Sequence, residues 1–158
     1  MIPDLDPRVG NNFIDTNVLD HTNGPEAAAA DEILELYRRE NNDFLLLKTH
    51  SVDAEIRHPH TPAEVKRRWA NMICTEQVEQ TDDELATHEK MRVLIQGNAK
   101  PGRHELDALH LVESAKYGRH FITNDRRLLG KSDEIWKIRQ LKVLKPSEWL
   151  AAYKAHAS

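Results

Sequence analysis

Phe13-Ile14-Asp15-Thr16-Asn17 and, far downstream, Phe121-Ile122-Thr123-Asn124-Asp125 are the two stretches whose reading decides the fold. Each sets an aromatic and an isoleucine directly before residues that favour strand ends and turns. Each therefore predicts a short strand with a polar tip. Between them, residues 44–47 (Phe-Leu-Leu-Leu) are apolar on consecutive positions, the pattern of a parallel strand covered on both faces. Residues 141–144 alternate apolar side chains with Lys142, as an edge strand does.

Helical signals fill the intervals. Gly24-Pro25 opens a helix with Ala29, Ile33, Leu34 and Tyr37 at three-to-four spacing, ending near Asn41. Residues 49–57 predict a short helix that Pro59 stops near His58. Thr61-Pro62-Ala63-Glu64 reads as a capping box before a stripe of Val65, Trp69, Met72 and Ile73. Thr81-Asp82-Asp83-Glu84 repeats the device ahead of Leu85, Met91 and Ile95, with Gly97 as the stop. Residues 104–117 form the most regular helix, with Ala108, Leu109, Val112 and Ala115 facing the core and Gly118 at the C′ position. Pro146 opens a last helix carrying Trp149, Leu150 and Tyr153. Strands alternating with helices predict an α/β fold: a three-layer sandwich around a mainly parallel central sheet.

The chain has 158 residues, enough for one ordinary core, and no linker or internal repeat divides it. With 39% apolar and 30% charged residues it fits neither the disordered nor the fibrous classes. Its apolar runs fall far short of the roughly 20 residues a membrane helix needs, so no membrane segment is expected. The first residues, Met1-Ile2-Pro3-Asp4, lack a secretory pattern, and Cys74 stands alone; both lead to the expectation of a cytoplasmic protein. The formal charge of −4 does not advertise nucleic-acid binding.

Four acids sit among core-type residues: Asp15, Glu55, Asp107 and Asp125. Singly, each fits a turn, a cap or a solvated helix face. Together they fall at strand tips and on neighbouring helices, which in a parallel sheet can converge on one rim. Clustered carboxylates repel by about 4 kcal/mol per pair at 4 Å under a protein-like effective dielectric. A hard divalent cation, Mg²⁺ or Mn²⁺, is the natural occupant.

At these positions the chain resembles the PIN-domain ribonucleases. Phe13-Ile14-Asp15-Thr16-Asn17-Val18-Leu19 is similar to that family's opening motif, Val52-Asp53-Ala54-Glu55-Ile56 to its second, Glu105-Leu106-Asp107-Ala108 to its third and Phe121-Ile122-Thr123-Asn124-Asp125 to its fourth. The resemblance spans residues 11–150. It implies residues 11–158 as a single PIN-like nuclease domain preceded by an N-terminal arm, 1–10. It further implies metal-dependent hydrolysis of RNA, single-stranded or structured, by Asp15, Glu55, Asp107 and Asp125, as in the toxins of bacterial toxin-antitoxin pairs. Under that resemblance Asp15 and Asp107 are direct ligands, Glu55 a ligand or water-orienting group, and Asp125 a second-metal or water-mediated ligand. Thr16, Asn17, Thr123 and Asn124 are their orienting neighbours. An antitoxin protein and a homodimer are the implied partners. Arg57, Arg103, Arg126 and Arg127 are candidate RNA-binding residues at the rim, which would reconcile RNA binding with a negative net charge.

Other readings fit less well. His50, His58, His60, His104 and His110 offer no zinc-ligand spacing. A haloacid-dehalogenase-like phosphatase requires Asp-x-Asp, and Asn17 stands two after Asp15. A receiver-type domain is expected to place an acceptor Asp after a central strand, whereas Asp43 precedes its strand. Trp69, Met72 and Ile73 read as core stripe in preference to a partner-binding groove. A catalytically inactive PIN-fold module that binds RNA or protein is the main rival.

Overall fold

The computed structural model describes residues 2–18 and 24–156. Five parallel strands, β1 (Asn11–Ile14), β2 (Leu45–Lys48), β3 (Ile73–Cys74), β4 (His120–Ile122) and β5 (Lys142–Leu144), form one sheet in the order β3-β2-β1-β4-β5. The expected mainly parallel sheet is thus parallel throughout the described residues, and β5 lies at an edge as expected.

Strand periodicity builds the layers. Phe13 and Phe121 point into one apolar cluster while their successors Ile14 and Ile122 point into another. The second cluster is covered by α1 (Pro25–Arg38), α2 (His50–Ile56), α3 (Ala63–Trp69) and α8 (Pro146–Ala155), which contribute Ile33, Val52, Trp69 and Trp149. The first is covered by α4 (Asp82–Gln96), α5 (Glu105–Tyr117), α6 (Arg126–Gly130) and α7 (Ser132–Ile138), which contribute Met91, Leu111, Leu128 and Ile135. Helices on both faces of a parallel sheet give three layers. No helix among the described residues is long and apolar enough to cross a membrane.

The capping box expected at Thr81 forms, and other local contacts fix their elements. Thr81 and Glu84 cap α4 reciprocally, and Thr49 Oγ1 accepts from Val52 N at the start of α2. The N-terminal arm packs: Pro7 is buried, its carbonyl accepts from Asn12 Nδ2 at 2.8 Å, and the Arg8 guanidinium lies 4.0 Å over the Tyr153 ring.

Other expectations are corrected. Thr61 does not cap α3; its hydroxyl donates to the Glu55 carbonyl instead, and α3 begins behind Pro62 without a side-chain cap. Helix α3 ends at Trp69, so Met72 packs from the following turn, while Ile73 belongs to β3 and is 54% exposed. Trp69 and Met72 are core, as read. Leu45 is 51% exposed, so β2 is not covered on both faces along its whole length. In α5 it is His110 and Leu111, beside Ala108 and Val112, that are buried, with Leu109 only partly covered. Gly118 ends α5 in extended backbone, not in a left-handed cap. Its role is close approach: a Cβ there would meet the Phe13 ring at 2.6 Å and the Asn11 carbonyl oxygen at 2.7 Å. Leu19, in the opening motif, lies outside the described residues.

Chain order reverses between β1 and β4. β1, β2 and β3 extend to one side, while β4 and β5 extend to the other. The carboxyl ends of β1 and β4 therefore flank the topological switch point, where parallel sheets leave a crevice.

Candidate active site

Asp15 directly follows β1 and Thr123 directly follows β4, so both stand at that switch point. The Asp15 amide donates to the Ile122 carbonyl at 2.9 Å, tying the two strand ends together. The Asp15 side chain is almost fully buried. Its Oδ1 accepts from Thr16 N at 2.8 Å and its Oδ2 from Thr123 Oγ1 at 2.9 Å. Asn17 reaches across to β4, accepting from Asn124 N at 3.1 Å, and Asn124 Nδ2 donates back to the Asn17 carbonyl at 3.4 Å. Thr16, Asn17, Thr123 and Asn124 thus hold the rim and, through it, Asp15.

Glu55 comes from the last turn of α2 and receives a hydrogen bond from the Thr16 hydroxyl. Its Oε2 lies 3.1 Å from Nε2 of His110, a buried residue of α5. The other ring nitrogen, Nδ1, is 2.7 Å from Ser51 Oγ. Asp15, Glu55 and His110 each offer a ligand atom within 4.8 Å of the others, so two of the predicted acids meet in space.

Asp107 and Asp125 form a neighbouring pair. Arg127 Nη2 donates to Asp107 Oδ2 and to Asp125 Oδ2, each at 3.0 Å. Asp125 also caps α6 by accepting from Arg127 N at 2.9 Å, and His104 Nδ1 stands 3.7 Å from Asp107. The two halves feel each other's charge: Asp107 adds its field to both Asp15 and His110.

The electrostatics follow from burial and partners. Burial pushes the Asp15 carboxyl up to about 6, with Asp107 and Glu55 adding repulsion against the pull of His110 and Thr123. The His110 hydrogen bond, with that of Thr16, holds Glu55 below its ordinary range despite partial burial. Burial opposes charge on His110, but Glu55, Asp15 and Asp107 together raise its pKa. Among the described residues no Lys or Arg pairs with Asp15. A buried carboxylate that no Lys or Arg among the described residues neutralises, beside a second carboxylate held ionised, is a donor set that could hold Mg²⁺ or Mn²⁺.

The candidate rim arginines divide. Arg127 is committed to Asp107 and Asp125, and Arg57 pairs with Asp53 at 2.7 Å while remaining largely exposed. Arg103 and Arg126 are exposed. Asp53 turns away from the site to Lys48 Nζ at 2.8 Å, a buried pair that locks α2 to β2. His58 and His60 lie together on the surface with ring centroids 5.0 Å apart, and of the histidines weighed for zinc only His110 joins Asp15 and Glu55. His110, weighed from the sequence only as a zinc ligand, is the functional candidate whose place beside the acids sequence reasoning missed. The signal was there in its three-residue spacing from Asp107, which puts both on one face of α5.

No protein-family profile matches the chain, and no curated protein matches it.

Proposed function

We propose that this chain is a divalent-metal-dependent endoribonuclease that hydrolyses RNA phosphodiester bonds. The observation that carries the reading is the gathering of Asp15, Glu55 and His110 at the switch point of the sheet, with Asp107 and Asp125 alongside. Asp15 and Glu55 would hold Mg²⁺ or Mn²⁺, which, when bound, lowers the pKa of a coordinated water, polarises a phosphoryl oxygen and neutralises developing charge.

The chain's own residues do the positioning. Thr16 and Thr123 fix the Asp15 carboxylate from both sides. His110, steadied by Ser51, holds Glu55 and keeps it ionised. Arg103 and Arg126 stand exposed to meet backbone phosphates, which position a substrate without reading its sequence. The resemblance to PIN-domain enzymes favours a specific form of this reading: a homodimeric toxin ribonuclease restrained by an antitoxin protein.

A second reading has its own support. Arg127 already neutralises Asp107 and Asp125, as in a site that binds RNA or protein and cuts nothing. Incubation of single-stranded RNA with Mg²⁺ or Mn²⁺ separates the two. Under the enzyme reading the wild type fragments RNA, and Asp15→Asn and Asp107→Asn do not. Identical RNA patterns from all three proteins would leave only the binding module.

A further inference from the structure

We propose that the His58-Pro59-His60 turn walls a nucleobase subsite beside the acid cluster, one that takes a single unpaired base of RNA next to the bond to be cut. This inference rests on the ribonuclease reading of that cluster. A cavity of about 300 Å³ opens between Thr16 and Glu55 on one side and His58 and His60 on the other, with the buried Ile56 and Val65 supplying its apolar surface. Thr16 and Glu55 also belong to the acid site, so whatever fills this cavity adjoins the metal-binding carboxylates.

The chemistry of the wall suits a base. Two exposed imidazole rings stand side by side, inclined at 35°. Single-stranded RNA is held by stacking its unstacked bases on aromatic side chains, histidine included, and by hydrogen bonds to their edges. The His60 amide donates to His58 Nδ1 at 3.2 Å, so neutral His58 carries its proton on Nε2, a fixed donor for a base edge. The Thr61 hydroxyl donates to the Glu55 carbonyl and anchors the turn to α2, so the rings are presented from a braced support. Among the described residues lining the cavity, Glu55 is the only acid. Neither imidazole is drawn into the Asp15, Glu55 and His110 group. Paired bases hide their faces, so the subsite selects single-stranded over duplex RNA.

The test uses fluorescein-labelled single-stranded oligoribonucleotides and the full chain carrying Asp15→Asn to suppress cleavage, read by anisotropy. In that background, joint His58→Ala and His60→Ala substitution should weaken binding by roughly fivefold to a hundredfold, the range for loss of base stacking. Joint substitution by Phe should restore most of it. An abasic nucleotide at the matching position should weaken binding to the histidine-bearing chain and add nothing to the Ala variant's loss. Unchanged affinity in the Ala variant overturns the subsite. If wild type still cleaves RNA with Mn²⁺ in that case, the ribonuclease reading stands without it. If wild type neither binds nor cleaves RNA, both fall. Joint His58→Ala and His60→Ala in a chain that keeps Asp15, if it loses the Mn²⁺-induced rise in Tm while the Asp15→Asn Ala variant binds RNA normally, would assign the turn to the metal and overturn the base-binding role.

Discussion

His110 Nε2 sits 3.1 Å from Glu55 Oε2, bridging α5 and α2 beneath the rim of the sheet. The contact joins a helix that precedes β4 to one that follows β2, and it favours the charged form of both partners, lowering the Glu55 pKa and raising that of His110. Charge-assisted hydrogen bonds of this kind are stronger than neutral ones.

His110→Ala should therefore loosen Glu55 and let its pKa return toward the ordinary value. Loss of a residue that orients a ligand lowers metal affinity about 10- to 100-fold, and calorimetric titration with Mn²⁺ should show a drop of that size. His110→Asn, able to donate to Glu55, should recover part of it.

Asp15 predicts a trade-off between stability and function. Its folded pKa of about 6 lies above the ordinary 3.8, so its contribution to stability is complete below the unfolded value and is lost as pH rises through about 6. Above that, holding the buried carboxylate ionised costs on the order of 3 kcal/mol. Asp15→Asn should raise Tm at pH 7.5 and much less at pH 4.5. Millimolar Mn²⁺ should raise the wild-type Tm, and the variant's gain should be smaller.

His120 makes the fold acid-sensitive. It is fully buried in β4, and burial, with Lys142 nearby, pushes its pKa down to about 4. The unfolded chain therefore binds this proton first. Stability present above the ordinary 6.5 falls as pH drops toward 4, by on the order of 3 kcal/mol. Urea unfolding of wild type and His120→Leu at pH 7 and pH 5 should show the variant losing less stability on acidification, the opposite contribution of Asp15 being common to both proteins.

Arg127→Ala separates ligand from rim. It leaves Asp107 and Asp125 without their shared cation. If these acids serve the metal, Mn²⁺ should bind several-fold more tightly at low salt, since nearby charge acts most strongly there. RNA affinity should fall in the same protein, as a positive charge at the rim is gone.

Gly118→Ala should destabilise the fold by about 1–3 kcal/mol in thermal or urea unfolding, the cost of overpacking. The added methyl has the Phe13 ring and the Asn11 carbonyl in its way, neither of which can yield without moving β1.

The elements legible in the sequence were those whose cause is local. The Thr81 and Glu84 cap formed because both partners lie within one turn. β3, with two residues, and α6, with five, are too short for any periodicity to register. Thr61 looked like a cap and was taken by a carbonyl six positions earlier, a contact created only when α2 packs beside the turn.

Phe13-Ile14 and Phe121-Ile122 dictated by alternation alone that two strands would each feed two opposite cores, because successive side chains leave a strand on opposite faces. The acid at each strand tip was likewise plain, since turn-forming residues must follow a strand that ends there. Which of the four acids would meet was decided by tertiary packing: the reversal of strand order brings Asp15 beside Thr123, and the placing of α5 near the start of α6 brings Asp107 to Arg127, already beside Asp125. Contacts of that range depend on the summed packing of many helices, and no single stretch of chain encodes them.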